Sequence, residues 1–110
     1  MQFFGLKSCD TCKKALKALA GAGVTPQVTD VRADGVSREN LAEFLAEFGA
    51  ALINRRSTTW RGLSDEDRAG DPLNLLADHP TLMKRPVIRD GDALYLGWDA
   101  NTQAAVLPKA

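Results

Sequence analysis

Cys9-Asp10-Thr11-Cys12 constrains this chain more than any other stretch. It follows a short apolar run, Met1 to Leu6, and opens a helix-patterned segment, Lys13 to Ala22. The spacing sets both thiols at a strand-to-helix junction, with Cys12 a turn beyond Cys9 on the same face. Thiolate is the reactive form of cysteine, and a helix start offers free backbone N–H groups and partial positive charge that favour it. Lys13 and Lys14 add cations in the first turn and Asp10 partly opposes them, so Cys9 is expected to ionise below the ordinary thiol range. Cys12 is placed to close a disulfide with Cys9 once Cys9 has reacted.

Three other readings compete. Zinc usually takes four ligands, and the chain offers two cysteines and a single histidine, His79, far along the sequence. A phosphate-cradling cysteine loop wants glycines and an arginine close behind Cys9, and Lys13-Lys14-Ala15-Leu16 supplies neither. Two ordinary, partly buried thiols make the plainest reading, because free cysteine packs as a small core residue. A C-x-x-C at a helix start weighs toward redox chemistry, and no metal site is expected.

The 110 residues suit one domain, taken as 1–110, with enough chain for a single core. A 45% apolar and 25% charged composition is that of a soluble globular protein. Fourteen basic and fourteen acidic side chains cancel. Nucleic acid and anionic membrane are therefore not expected as partners, since their binders carry a basic surplus. Net neutrality fits a monomer. No run approaches membrane-spanning length and the start lacks signal-peptide architecture, which points to the cytoplasm. Thiols are kept reduced there, and a C-x-x-C is more often catalytic or redox-sensing than structural.

Met1 to Leu6 reads as a buried strand, and the helix after the cysteines carries Ala15, Leu16, Leu19 and Ala20 before Gly21 and Gly23 end it. Val24 to Val31 is the second strand, with Pro26 near its start. Such a β-α-β unit makes a right-handed crossover and a parallel pair. Ser37 caps an amphipathic helix with Leu41, Phe44, Leu45 and Phe48 on one face, closed by Gly49; that stripe is core packing. Residues 50–59 read as a short helix running into a loop. Ser64-Asp65-Glu66-Asp67 fits a capping box, and Asp71-Pro72 starts a helix reaching about Asp78. Val87 to Arg89 and Ala93 to Leu96 form a hairpin around Asp90-Gly91, and Asp99 caps a last helix. The order is β-α-β, a helical middle, then β-β-α. This is a thioredoxin-like α/β pattern: a small mixed four-stranded sheet with a helical insertion between its halves.

His79 has no acid partner nearby in sequence and reads as a surface or capping residue. Arg55, Arg56, Arg61 and Lys84-Arg85 flank apolar elements and can gather at the end of the sheet that carries the cysteine loop. Clustered guanidinium groups there would stabilise a thiolate and bind an oxyanion or a carboxylate such as that of glutathione. Arg85-Pro86 is the best placed, because a proline beginning a strand in this fold can be cis and its neighbour then faces the cysteines.

Three segments together carry a resemblance. They are Gly5-Leu6-Lys7-Ser8-Cys9-Asp10-Thr11-Cys12-Lys13-Lys14-Ala15-Leu16, Leu52-Ile53-Asn54-Arg55-Arg56-Ser57-Thr58-Thr59-Trp60-Arg61, and Met83-Lys84-Arg85-Pro86-Val87. Over essentially its whole length the chain resembles the arsenate reductase (ArsC) family of thioredoxin-like proteins, which also contains the redox-responsive regulator Spx. Within it the YffB-like branch shares the Thr-Thr-Trp-Arg run and a short chain. The resemblance implies that Cys9 is the catalytic cysteine, Pro86 the cis-proline and Arg85 the arginine before it. It sets Arg55 or Arg56 near another active-site arginine, with Asn54 competing for the aligned position. Two departures count against arsenate as the substrate. Leu94-Tyr95-Leu96-Gly97-Trp98 supplies no arginine after the final hairpin, and Cys12 stands where the family's arsenate reductases carry a small hydroxyl residue.

The function expected is that of a cytoplasmic thiol-disulfide oxidoreductase, with Cys9 as nucleophile, Cys12 as resolving thiol and Arg85 beside them. Lys13, Arg55, Arg56 and Pro86 are the candidates for holding an anion or glutathione. No bound cofactor is expected; glutathione is the candidate co-substrate, and the partner is a small thiol or disulfide. The alternatives are an Spx-like redox switch acting through a protein partner, which for Spx is RNA polymerase, and arsenate reduction proper.

Overall fold

A computed structural model describes residues 1–108. In chain order its elements are β1 (Gln2–Gly5), α1 (Asp10–Gly21), β2 (Gln27–Asp30), α2 (Arg38–Phe48), α3 (Thr58–Arg61), α4 (Asp65–Arg68), α5 (Pro72–Asp78), β3 (Val87–Asp90), β4 (Ala93–Leu96) and α6 (Ala100–Val106), with 3-10 turns at Gly49–Leu52 and Pro80–Leu82. Two compact units divide them: residues 1–30 with the chain from Arg85 onward, and Val31–Lys84. No helix among the described residues is long and apolar enough to cross a membrane.

The first unit holds the sheet, in the order β2-β1-β3-β4. β1 and β2 run parallel, with Gly5 opposite Asp30 at the end of the ladder. β3 lies antiparallel to β1 and to β4. The mixed four-stranded sheet and the helical insertion are those the sequence predicts. Phe3 and Ile88 from the sheet pack with Cys12, Ala15 and Leu19 of α1 and Val106 of α6 in one buried cluster. Asp99 caps α6, its Oδ1 accepting the Thr102 N–H at 2.9 Å.

Boundaries in this unit differ from the sequence reading in three places. α1 starts at Asp10, three residues before Lys13, because Cys9 already turns the chain and its carbonyl accepts the Lys13 N–H at 3.0 Å. β2 starts at Gln27 rather than Val24, because the Val24 N–H is spent on the Leu19 carbonyl, at 2.8 Å, in the C-terminal wrap of α1. The hairpin loop is Gly91-Asp92 rather than Asp90-Gly91, since Asp90 pairs with Ala93. Gly91 at φ 60° stands in its first position, the placement of a type II′ turn.

The second unit packs α2 against α5, burying Leu41 and Phe44 with Leu75, Leu76 and Leu82. Ser37, Ser57 and Ser64 each cap a helix, accepting the N–H groups of Asn40, Trp60 and Asp67. The expected short helix after Gly49 is a single 3-10 turn, beyond which Ile53 bridges to Met83. Two guanidinium groups lie over the Trp60 ring, Arg55 at 5.5 Å and Arg68 at 5.6 Å from its centroid.

Candidate active site

β1 delivers the chain to the loop Leu6–Ser8, which closes when the Cys9 N–H donates to the Leu6 carbonyl at 3.0 Å. Cys9 then takes extended backbone angles, φ −85° and ψ 120°, at the N-terminal boundary of α1. Its thiol is half-buried, whereas Cys12 one turn on is buried, 1% exposed. Burial alone would raise the Cys9 pKa. It is outweighed by the Cys12 backbone N–H, the Cys12 thiol and the Arg85 guanidinium, all of which favour the thiolate, so Cys9 lies below the ordinary thiol value. No hydrogen bond from the Cys9 side chain caps α1 in the resting thiol; the Cys12 amide acts on the charged form. Burial pushes Cys12 the other way, up to about 11, and the neighbouring Cys9 sulfur adds to that.

Arg85 reaches Cys9 from the start of β3. The Arg85-Pro86 bond is cis and Pro86 is fully buried. The Pro86 carbonyl accepts the Gly97 N–H at 2.8 Å, and Val87 pairs with Phe4 on one side and Leu96 on the other. Arg85 is thereby fixed at the end of the sheet from which the cysteine loop springs.

The candidates from sequence divide accordingly. Cys9, Cys12, Arg85 and Pro86 come together in the first unit. Lys13 is in the same unit but exposed, and neither it nor Lys14 is among the groups that lower Cys9; Arg85 supplies the cation that the sequence reading assigned to them. Arg55 and Arg56 belong to the second unit, where they line an open cavity of about 550 Å³ with Asn54 and Lys84. His79 bounds α5, its N–H on the Leu75 carbonyl at 2.8 Å. Sequence reading passed over two residues, Gly5 and Asp30, which line a small cavity against Cys12.

Residues 4–106 match the ArsC family. The chain belongs to that family. An uncharacterized protein of Haemophilus influenzae is 43% identical over 108 residues, 93% of this chain and 95% of that protein. The global transcriptional regulator Spx of Streptococcus mutans is 30% identical over 108 residues, 93% of this chain and 79% of Spx. The solved structure of a protein called YffB superposes with a TM-score of 0.89 at 33% identity, covering 96% of this chain and 97% of that one. This ArsC-family chain thus has the thioredoxin-like fold, and its membership supports thiol-based redox chemistry or arsenate reduction.

Proposed function

We propose that this protein is a thiol-disulfide oxidoreductase of the cytoplasm that draws its electrons from a small thiol such as glutathione. One observation carries the reading: the half-buried Cys9 sulfur is held toward thiolate by Cys12 and Arg85, while Cys12 beneath it is kept protonated. The family match runs through both units, which supports treating them as one functional domain.

Cys9 attacks a substrate disulfide, forming a mixed disulfide and expelling one substrate thiolate. Loss of the Cys9 charge removes part of what holds the Cys12 proton, so resolution is favoured only after the first attack. Cys12 then closes the Cys9–Cys12 disulfide and expels the second thiolate. Two external thiols restore the dithiol and leave as their own disulfide. Arg85 holds negative charge beside Cys9 throughout. Arg55, Arg56 and Lys13 are secondary candidates for contacts to an anionic substrate.

A mixed-disulfide trap tests the assignment. Cys12→Ser accumulates adducts on Cys9 and Cys9→Ser does not; equal trapping by both variants would overturn the roles. A second reading, a redox switch acting through a protein partner, draws support from the Spx relative, a transcriptional regulator. Turnover separates the two: a switch forms the disulfide reversibly but shows no catalytic rate with glutathione and a disulfide. Arsenate reduction is checked in a coupled assay with glutathione as reductant and arsenate as oxidant.

A further inference from the structure

The reaction above leaves Cys12 with a problem that the sheet answers. A buried thiol raised to about 11 is ionised in only about one molecule in 10⁴ at pH 7. Reaction of Cys9 removes its charge, but burial, the larger cause, remains. Resolution therefore needs a base. From β1, β3 and α6 the residues clustered around Cys12 are apolar: Phe3, Ile88 and Val106. The titratable groups that act on it are Cys9 and Arg85, and Lys7, Lys13 and Asp30 line a small cavity that Cys12 also lines. With Cys9 tied up in a mixed disulfide, Asp30 is the one carboxyl group among them.

Asp30 is 7% exposed at the end of β2, an unusual place for a carboxylate. Its Oδ2 accepts the Lys7 N–H at 3.3 Å, which orients it. Gly5, its partner across the β1–β2 ladder, lines the same cavity. A Cβ at Gly5 would stand 2.9 Å from Cys12 Sγ and 2.6 Å from a Phe3 ring carbon. Glycine therefore lets the Phe3 ring and the Cys12 sulfur pack directly against the end of β1, one strand from Asp30. The cavity measures about 40 Å³, room for at least one water, and Asp30 and Cys12 are among its otherwise largely apolar walls.

We propose that Asp30 is the proton acceptor for Cys12 in the resolving step, acting through water in the small cavity that both residues line. This rests on the reading of Cys12 as the resolving thiol. The Cys12 proton passes through water to the Asp30 carboxylate as the Cys12 sulfur attacks Cys9. The Cys9–Cys12 bond forms and the bond from Cys9 to substrate breaks, its electron pair leaving on the substrate thiolate. The dithiol is oxidised and the substrate disulfide reduced. The departing thiolate takes a proton from solvent, and Asp30 returns its own.

The test uses a symmetrical aromatic disulfide whose thiolate product is coloured, mixed rapidly with the reduced protein. Cys9 releases the first equivalent at a rate proportional to reagent, and Cys12 the second at a rate independent of it. In the wild type the second phase should be nearly flat with pH above the carboxylate range. A thiol ionising without a base would instead quicken about tenfold per pH unit. Asp30→Asn should slow the second phase about 10²-fold at neutral pH, restore that steep slope, and converge on the wild type in alkali. A steep wild-type profile overturns the proposal, and needs no variant to fold. So does an Asp30→Asn second phase that is unaltered, or slowed equally at every pH as a displaced thiol would be. Loss of the first phase overturns the cysteine roles and this proposal together; two phases with an Asp30-independent second overturn this proposal alone.

Discussion

Gly5 and Cys12 are packed so closely that a Cβ on Gly5 would stand 2.9 Å from the Cys12 sulfur. The end of the first strand and the first turn of α1 therefore share one wall, with the Cys12 thiol buried in it. A side chain at position 5 has nowhere to go, because a Phe3 ring carbon lies 2.6 Å from the same point. Gly5→Ala should destabilise the protein by about 1–3 kcal/mol through overpacking. Denaturant unfolding checks this, and an unchanged midpoint would mean the wall yields.

Arg85 is the cation that acts on both sulfurs. Arg85→Ala should raise the apparent pKa of Cys9 and lower its thiolate fraction at neutral pH, which thiolate ultraviolet absorbance reads directly. Lys13→Ala should leave the titration in place, because Lys13 is exposed and not among the groups that move Cys9. The reverse order of effects would restore the first-turn lysines as the activating charges.

Cys12 makes stability fall with alkali. Its folded value of about 11 lies above the ordinary 9.0, so the folded state holds this proton where the unfolded chain has lost it. Its contribution is full below pH 9.0 and lost as pH rises toward about 11, on the order of 2–3 kcal/mol. Cys9 works in the opposite sense, contributing above its unfolded value and losing that as pH falls through its lowered folded value. Unfolding curves of reduced wild type and Cys12→Ala across that alkaline window isolate the Cys12 part: the difference between them should shrink as pH rises.

Much of this was legible in sequence because local chemistry and tertiary structure agree. Ser37, Ser64 and Asp99 cap the helices they were read to cap, and Asp71-Pro72 opens α5. The arginine before a cis-proline at the start of β3 stands where the C-x-x-C required a charge. The electrostatics of the first turn were not legible. Lys13 and Lys14 adjoin Cys12 in sequence, yet their side chains run to solvent, whereas Arg85 arrives from a distant strand. Asp30 was hidden for a related reason. In β2 the usual pattern is inverted, with Val28 exposed at 47% and Asp30 buried, so alternation alone gives no reason to single out the acid. Only the β1–β2 register, which sets Asp30 opposite Gly5, shows what it faces.

The proposed chemistry needs Cys9 as an activated thiol and Cys12 as a protected one. The most direct measurement is the rate of alkylation at each cysteine against pH, located by mass spectrometry on the reduced wild-type protein. Cys9 should alkylate first, with an apparent pKa clearly below the free-thiol value of about 8.5, while Cys12 stays unmodified until strong alkali. A Cys9 value at or above that figure, or equal labelling of both thiols at neutral pH, would contradict it.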